Sequence, residues 1–197
     1  MTNEQVLEIF KETEGILKGH FRLASGRHSD TYMQCAKLFM YPDKSELLCS
    51  ELAKKLDGIE IDTVASPAIG GIIMGYEMAR ALKVPNIFVE RVEGNMTLRR
   101  GFSVKKGEKI LVVEDVVTTG GSVVETINLL ESLGAEVVAV ASIVDRSNGK
   151  VDFGKTYKAL LSMEVISYEE SECPICKEGK VPLTKPGTKA LQKIIKT

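Results

Sequence analysis

Glu114 and Asp115 stand side by side behind four apolar residues, Ile110 to Val113, and ahead of Val116, Val117, Thr118, Thr119, Gly120, Gly121 and Ser122. Two adjacent acids have no packing reason to end a buried run. Carboxylates accept hydrogen bonds from the vicinal hydroxyls of a ribose, and they hold magnesium through its water shell. The hydroxyls and glycines that follow suit an anion. Glycines let the backbone close on it, free N–H groups point at it, and a helix starting there adds the positive end of its dipole. One segment thus offers acids for a sugar and donors for its phosphate. A Ser/Thr cap on a strand-to-helix turn would account for Ser122, but not for the acid pair or the doubled threonines and glycines. The Gly-Lys-Ser/Thr of a Walker loop is absent. The GGIIMG run at Gly70–Gly75 has the wrong spacing for a dinucleotide fingerprint.

These residues need a strand before them and a helix after them. Ile110–Glu114 reads as a strand buried on both faces, and Gly121–Leu133 as a helix. The same alternation surrounds them. Strands are expected at Thr63–Ser66, Asn86–Glu90, Val137–Val144 and Ala159–Met163, with a tight loop at Pro67–Gly71 and a helix at Ile72–Leu82. Strands alternating with helices make a parallel α/β sheet, whose ligands bind beyond the C-terminal strand ends. Earlier in the chain, Asn3–Leu17 and Asp43–Leu56 read as helices. Short strands near Phe21–Leu23 and Thr31–Gln34 flank a Gly- and Ser-rich turn. Pro186–Ile195 reads as a terminal helix. The stretch Arg91–Glu108 is long, polar and punctuated by Gly94, Gly101 and Gly107, as expected of a lid or binding loop.

The 197 residues suit one domain. Hydrophobic residues make up 44% and charged residues 27%, an ordinary globular balance, and the net charge of −1 gives no case for nucleic acid or an anionic membrane. No signal peptide or apolar span is visible, so a cytoplasmic location is expected. Four cysteines are present. Cys173 and Cys176 form a C-P-I-C pair that supplies two of the four ligands of a structural zinc. No histidine or further cysteine lies near them in sequence. The plainest reading is free thiols in a turn; symmetric pairing across a dimer and a redox role are the alternatives. The histidines, His20 and His28, have no clear sequence partner.

The segment I-L-V-V-E-D-V-V-T-T-G-G-S resembles the phosphoribosyl pyrophosphate motif of the type I phosphoribosyltransferases. G-H-F-R-L-A-S-G-R-H-S-D-T-Y, Gly19–Tyr32, resembles the N-terminal signature of the orotate branch of that family. Asp145-Arg146 follows its strand as it does there, and Cys173–Lys189 resembles the tail of one bacterial and archaeal group. The resemblance covers nearly the whole chain. It implies a parallel sheet flanked by helices as a single domain over 1–197, with a small hood and accessory segments from 1–40 and 165–197. It implies transfer of the phosphoribosyl group of phosphoribosyl pyrophosphate to orotate in pyrimidine biosynthesis, with Glu114 and Asp115 as catalytic residues.

The resemblance assigns phosphoribosyl pyrophosphate to Arg91 and to residues Glu114 to Ser122, with Arg99 and Arg100 as further candidates. It assigns orotate to Thr118 and Arg146; a guanidinium can meet a planar acceptor array with a two-point fork. A surface ion pair with Asp145 is the other reading of Arg146. Arg22, Ser25, Arg27 and His28 are candidates for the far side of the base. Mg²⁺ is expected mainly through substrate and water, with no protein metal ligand, and a homodimer with loop exchange is implied. The chain also departs from the family pattern. Ile69 stands at the lysine place of its Pro-Ala-Tyr-Lys-Gly loop, Val92 follows the loop arginine in place of a lysine, and Ala24 stands where a base-contacting lysine often lies. A purine phosphoribosyltransferase and a non-catalytic sensor of phosphoribosyl pyrophosphate are the rival readings.

Overall fold

The computed structural model describes residues 1–23 and 25–186. Ala24, and the expected terminal helix from residue 187 onward, lie outside the described residues. The chain opens with α1 (Asn3–Glu12), then the antiparallel hairpin β1 (Ile16–Arg22) and β2 (His28–Met33), and the helices α2 (Cys35–Leu38) and α3 (Pro42–Lys54). A capping box starts α1: Gln5 N–H donates to Thr2 Oγ1 at 3.3 Å, and Thr2 N–H donates to Gln5 Oε1 at 2.9 Å. The helix stops short of the expected Leu17. Glu14 turns left-handed at φ 52° and Gly15 lies against the Phe10 ring, so Ile16 and Leu17 join the hairpin.

The rest of the chain builds a sheet from β3 (Thr63–Pro67), β4 (Asn86–Val92), β5 (Asn95–Leu98), β6 (Lys109–Val117), β7 (Glu136–Asp145) and β8 (Thr156–Ser162). Their spatial order is β5-β4-β3-β6-β7-β8. All neighbours are parallel except β4 and β5. The crossover helices are α4 (Gly71–Leu82) and α5 (Gly121–Ser132). Leu111 and Val113 of β6 pack into a core with α3 and α4, whereas Ile110 and Val112 face a second core with Val123, Ile127 and Leu130 of α5. All four are fully buried, as a strand covered on both faces requires. Among the described residues, no helix is long and apolar enough to cross a membrane.

Two differences from the sequence reading bear on the site. First, β6 runs on through the acids. It stays paired with β7 at Glu114↔Ser142, Val116↔Val144 and Val117↔Asp145. Second, the stretch after Arg91 is not structureless. Glu93 and Gly94, at φ 48° and 89°, turn the chain so that β5 pairs back on β4. Met96, Leu98 and Phe102 then pack on the sheet edge, with the Phe102 ring edge-on to Phe88 at 5.2 Å. The chain leaves β3 toward β4 on one side and returns to β6 on the other. The loops after β3 and β6 therefore diverge around a crevice, the switch point at which α/β sheets bind ligands.

Candidate active site

The floor of the crevice is the end of β6. Glu114 and Asp115 are half-buried there, and neither has an ion-pair partner among the described residues. Burial, reinforced by the Asp115 charge, holds Glu114 well above the usual carboxylate range. Burial likewise raises Asp115, although the Val116 N–H donates to its Oδ1 at 2.8 Å. Among the described residues, the pair has no cation or hydroxyl donor bonded to it that would stabilise its ionised form. The β3–α4 loop lies over it. A Cβ on Gly70 would sit 3.3 Å from both Asp115 carboxylate oxygens, and one on Gly71 would sit 3.3 Å from Glu114 Oε1. Glycine lets this loop close on the acids. Its Ala68–Ile69 peptide is cis, and Ile69 is 85% exposed.

Beyond the acids, Thr118 and Thr119 are exposed and lead to Gly120, which is left-handed at φ 75°. A Cβ there would also meet Phe153 and Val151 at 2.8 Å, so glycine is required on two grounds. Gly120 is the N-cap of α5, and no side chain caps the helix. A Ser122 cap is therefore not the explanation of this turn. The first intrahelical bond is Val124 N–H to Gly120 O at 2.9 Å, which leaves the N–H groups of Gly121, Ser122 and Val123 directed out of the helix end. They line a recess of about 60 Å³ that also touches Glu114. Outward-facing N–H groups at a helix N-terminus suit an anion, and here they lie next to the acids.

Arg146 closes another side. Its N–H donates to Val117 O at 2.8 Å, which sets it beside Thr118 at the ends of adjacent strands. The side chain is half-buried, Nε is buried without a hydrogen-bond partner, and Arg146 has no ion pair among the described residues. Asp145 does not pair with it; Asp145 Oδ1 accepts from Ser147 N–H at 2.8 Å. Burial makes the guanidinium easier to deprotonate than usual. Tyr32 and Cys35 lie close enough to feel the charges of both Arg146 and Asp115. The sequence reading did not single out these two residues. Only packing of the hairpin end over the sheet brings them here, and no local pattern marks it.

Among the other arginine candidates, Arg91 belongs to β4, Arg99 and Arg100 to the turn after β5, and Arg27 to the turn between β1 and β2. Arg91 pairs with Glu125 of α5 at 2.7 Å and donates to Gly94 O at 2.5 Å. Arg100 makes a two-point contact with Glu90, 2.8 Å for each bond, and lies over the Phe88 ring at 5.7 Å. Arg99 is exposed and has no ion pair among the described residues. Arg27 binds Glu169 and donates to Ser167 Oγ at 2.9 Å, so it serves as a clasp to the C-terminal segment. His28 is buried against His20 and the C-P-I-C pair, with ring nitrogens 3.2 Å apart. These contacts engage Arg27 with Ser167 and Glu169, and His28 with His20 and Cys176.

The family model described as phosphoribosyl transferase domain matches residues 42–172. An orotate phosphoribosyltransferase of Caldanaerobacter subterraneus subsp. tengcongensis is 57% identical over 191 residues, spanning 97% of this chain and 100% of that protein. One from Chlorobium phaeobacteroides is 53% identical over 192 residues, spanning 98% and 99%. Among solved structures, orotate phosphoribosyltransferase from Aeropyrum pernix superposes with a TM-score of 0.69 at 23% identity, covering 80% of this chain and 93% of that one, a likeness of fold.

Proposed function

We infer the reaction from kinship and site together: the chain belongs to the orotate phosphoribosyltransferase family, and it transfers the phosphoribosyl group of phosphoribosyl pyrophosphate to orotate, giving orotidine 5′-monophosphate and pyrophosphate in pyrimidine biosynthesis. The observation that carries the assignment of the site is the uncapped N-terminus of α5 beside two acids that have no ion-pair partner among the described residues.

The N–H groups of Gly121 to Val123, with the hydroxyls of Thr118, Thr119 and Ser122, hold the 5′-phosphate. Glu114 and Asp115 accept hydrogen bonds from the ribose hydroxyls and face the positive charge that develops at C1 as the bond to pyrophosphate breaks ahead of attack by orotate N1. Arg146 presents its unpaired guanidinium to the anionic base, and Thr118 adds a hydroxyl donor. Holding both reactants in line accounts for most of the acceleration, because little covalent chemistry is asked of the protein. Arg91, beside α5, is the pyrophosphate contact we favour. Arg99 reaches solvent free of any ion pair seen among the described residues, while Arg100 would have to leave Glu90 to join it.

Magnesium fits these residues, since two hard carboxylates lifted in pKa gain from a cation nearby. Glu114 and Asp115 would hold it through water or the ribose hydroxyls. When bound, the ion neutralises charge on the departing pyrophosphate. We further propose a cytoplasmic homodimer, with residues 1–40 and 165–197 as the hood and accessory segments of a single domain. The exposed apolar residues Ile69, Ile73 and Tyr76 recur about one turn apart from the β3–α4 loop into α4, a stripe that a second copy would cover.

The test is pyrophosphate release with magnesium, phosphoribosyl pyrophosphate and one base at a time. Release with orotate, and none with adenine, hypoxanthine or xanthine, is expected. Release with a purine alone would replace this reading by a purine transferase. Binding of phosphoribosyl pyrophosphate without release for any base would replace it by a sensor.

A further inference from the structure

We propose that His20, His28, Cys173 and Cys176 form a four-ligand structural zinc site that fastens the C-terminal segment to the β1–β2 hairpin. The site stands apart from the crevice, and the proposal does not depend on the reaction assigned there.

Four of the six edges between the ligand atoms have the lengths of a zinc tetrahedron. Zinc bonds of about 2.0–2.1 Å to nitrogen and about 2.3 Å to sulfur, set at tetrahedral angles, require edges of about 3.3 Å between nitrogens and about 3.6 Å between nitrogen and sulfur. Observed are 3.2 Å from His20 Nε2 to His28 Nδ1, 3.5 Å from His20 Nε2 to each of Cys173 Sγ and Cys176 Sγ, and 3.2 Å from His28 Nδ1 to Cys176 Sγ. All four ligand atoms lie within 4.8 Å of one another. Two nitrogens and two thiols in this arrangement select zinc among common divalent ions, and four protein ligands leave no open position for chemistry.

Hydrogen bonding alone does not satisfy the cluster. His20 Nδ1 lies 3.1 Å from Val181 O, a carbonyl that can only accept, so the ring proton is on Nδ1 and Nε2 presents a lone pair. That lone pair points at a spot on which three further ligand atoms converge. His20, His28 and Cys173 are buried, and Cys176 lies at the rim. A backbone carbonyl on the far nitrogen of a ligating histidine is the usual outer partner that fixes its tautomer and orientation. His28 Nε2 has no such partner among the described residues.

The fold also has a use for such a fastening. From Glu164 to Pro186 the only buried residue is Cys173, so the segment has almost no apolar surface with which to stay down. Yet it is folded onto the hairpin on both sides of the cluster. Tyr168 and His28 exchange backbone bonds at 2.8 Å, and Thr184 exchanges bonds with His20 and Arg22, also at 2.8 Å. Between these anchors, Cys173 and Cys176 flank the single turn of α6 (Pro174–Glu178), which ends at the left-handed Gly179. The cysteines lie 153 and more residues from the histidines they meet, except for the 148 between Cys176 and His28. A metal supplies what so polar a segment lacks, and its binding energy becomes folding energy.

The test uses the full chain, purified without chelator and analysed for metals. The expected result is about one zinc per chain, and cobalt substitution should give the intense visible bands of a tetrahedral site with thiolate charge transfer. Cys176→Ser, at the rim, should fold and lose most of the zinc. Its thermal midpoint should fall, and protease cleavage between Glu164 and Pro186 should rise several-fold. Cys49→Ala, a buried core cysteine elsewhere, should keep its zinc. The proposal is overturned if the folded chain, reduced and dialysed after incubation with zinc, holds less than about a tenth of an equivalent. It is equally overturned if Cys176→Ser and His20→Ala both retain the full complement, or if Cys173 and Cys176 are found joined as a disulfide in chain purified without oxidant.

Discussion

Glu114 and Asp115 are neighbouring, half-buried acids, and burial favours their protonated forms. Burial and the Asp115 charge lift Glu114 to about 8. An unfolded glutamate titrates near about 4.3, so between these values the folded chain holds a proton that the unfolded chain has lost. The stabilisation from that proton is complete below the unfolded value and is lost as pH rises through the folded one. Glu114→Gln should therefore raise the thermal midpoint of the ligand-free protein relative to wild type, and more at pH 8 than at pH 5; melting curves at both pH values measure it. Asp115→Asn should lower turnover by about ten- to a hundredfold, the worth of a charged hydrogen bond, with the melting temperature unchanged or higher. Wild-type turnover would remove Asp115 from the mechanism. Arg146→Ala should raise the KM for orotate by a similar factor and leave that for phosphoribosyl pyrophosphate nearly unchanged. Equal effects on the two constants would mean that Arg146 does not read the base. The acid pair and Arg146 were legible in the sequence by residue type and place. Tyr32 and Cys35 were not, since their approach depends on how a distant hairpin packs.

The unit that presents the acid pair and the glycine-rich loop is β6, that loop and α5. Gly120→Ala tests it as a unit, because the substitution strains a left-handed residue and drives a Cβ into Phe153 and Val151. A loss of about 1–3 kcal/mol in urea unfolding is expected, together with weaker binding of phosphoribosyl pyrophosphate. Unchanged stability would mean that the loop relaxes freely. This unit was readable because its signals are local: a continuous apolar run, then glycines, then a helical period. The reading stopped β6 at Glu114 because acids usually mark a strand end, whereas pairing with β7 carries it to Val117. The β4–β5 hairpin was missed for a similar reason. Glu93-Gly94 is a weaker turn signal than Asn-Gly, and the edge strand Asn95–Leu98 has only Met96 and Leu98 as apolar alternation.

Over the molecule as a whole, the sheet lies between two cores, and the segment around Tyr168 and Thr184 folds back onto the β1–β2 hairpin. The α/β class followed directly from alternating periods along the sequence. The meeting of His20 and His28 with Cys173 and Cys176 did not, because sequence reading sees neighbours and these residues are neighbours only after the C-terminal segment folds back. The pair Cys173–Cys176 therefore looked like half a site, and the histidines like residues without a role. Sequence order hides the contacts of Arg27 in the same way. A basic residue in a Gly- and Ser-rich turn suggests an anion, yet its partners Ser167 and Glu169 arrive from the far end of the chain.

Ile69, Ile73 and Tyr76 lead from the loop above Asp115 into a helix face open to solvent. The homodimer proposed above would make catalysis a property of concentration as well as of sequence. If a second copy covers that stripe, the rim of each crevice is finished only in the pair. Rate per chain should stay constant at high protein concentration, fall on dilution, and recover with a lag when the solution is concentrated again. Initial rates across a dilution series, set beside sedimentation of the same samples, would reveal this. A rate per chain that holds constant while sedimentation shows monomers would make each crevice self-sufficient.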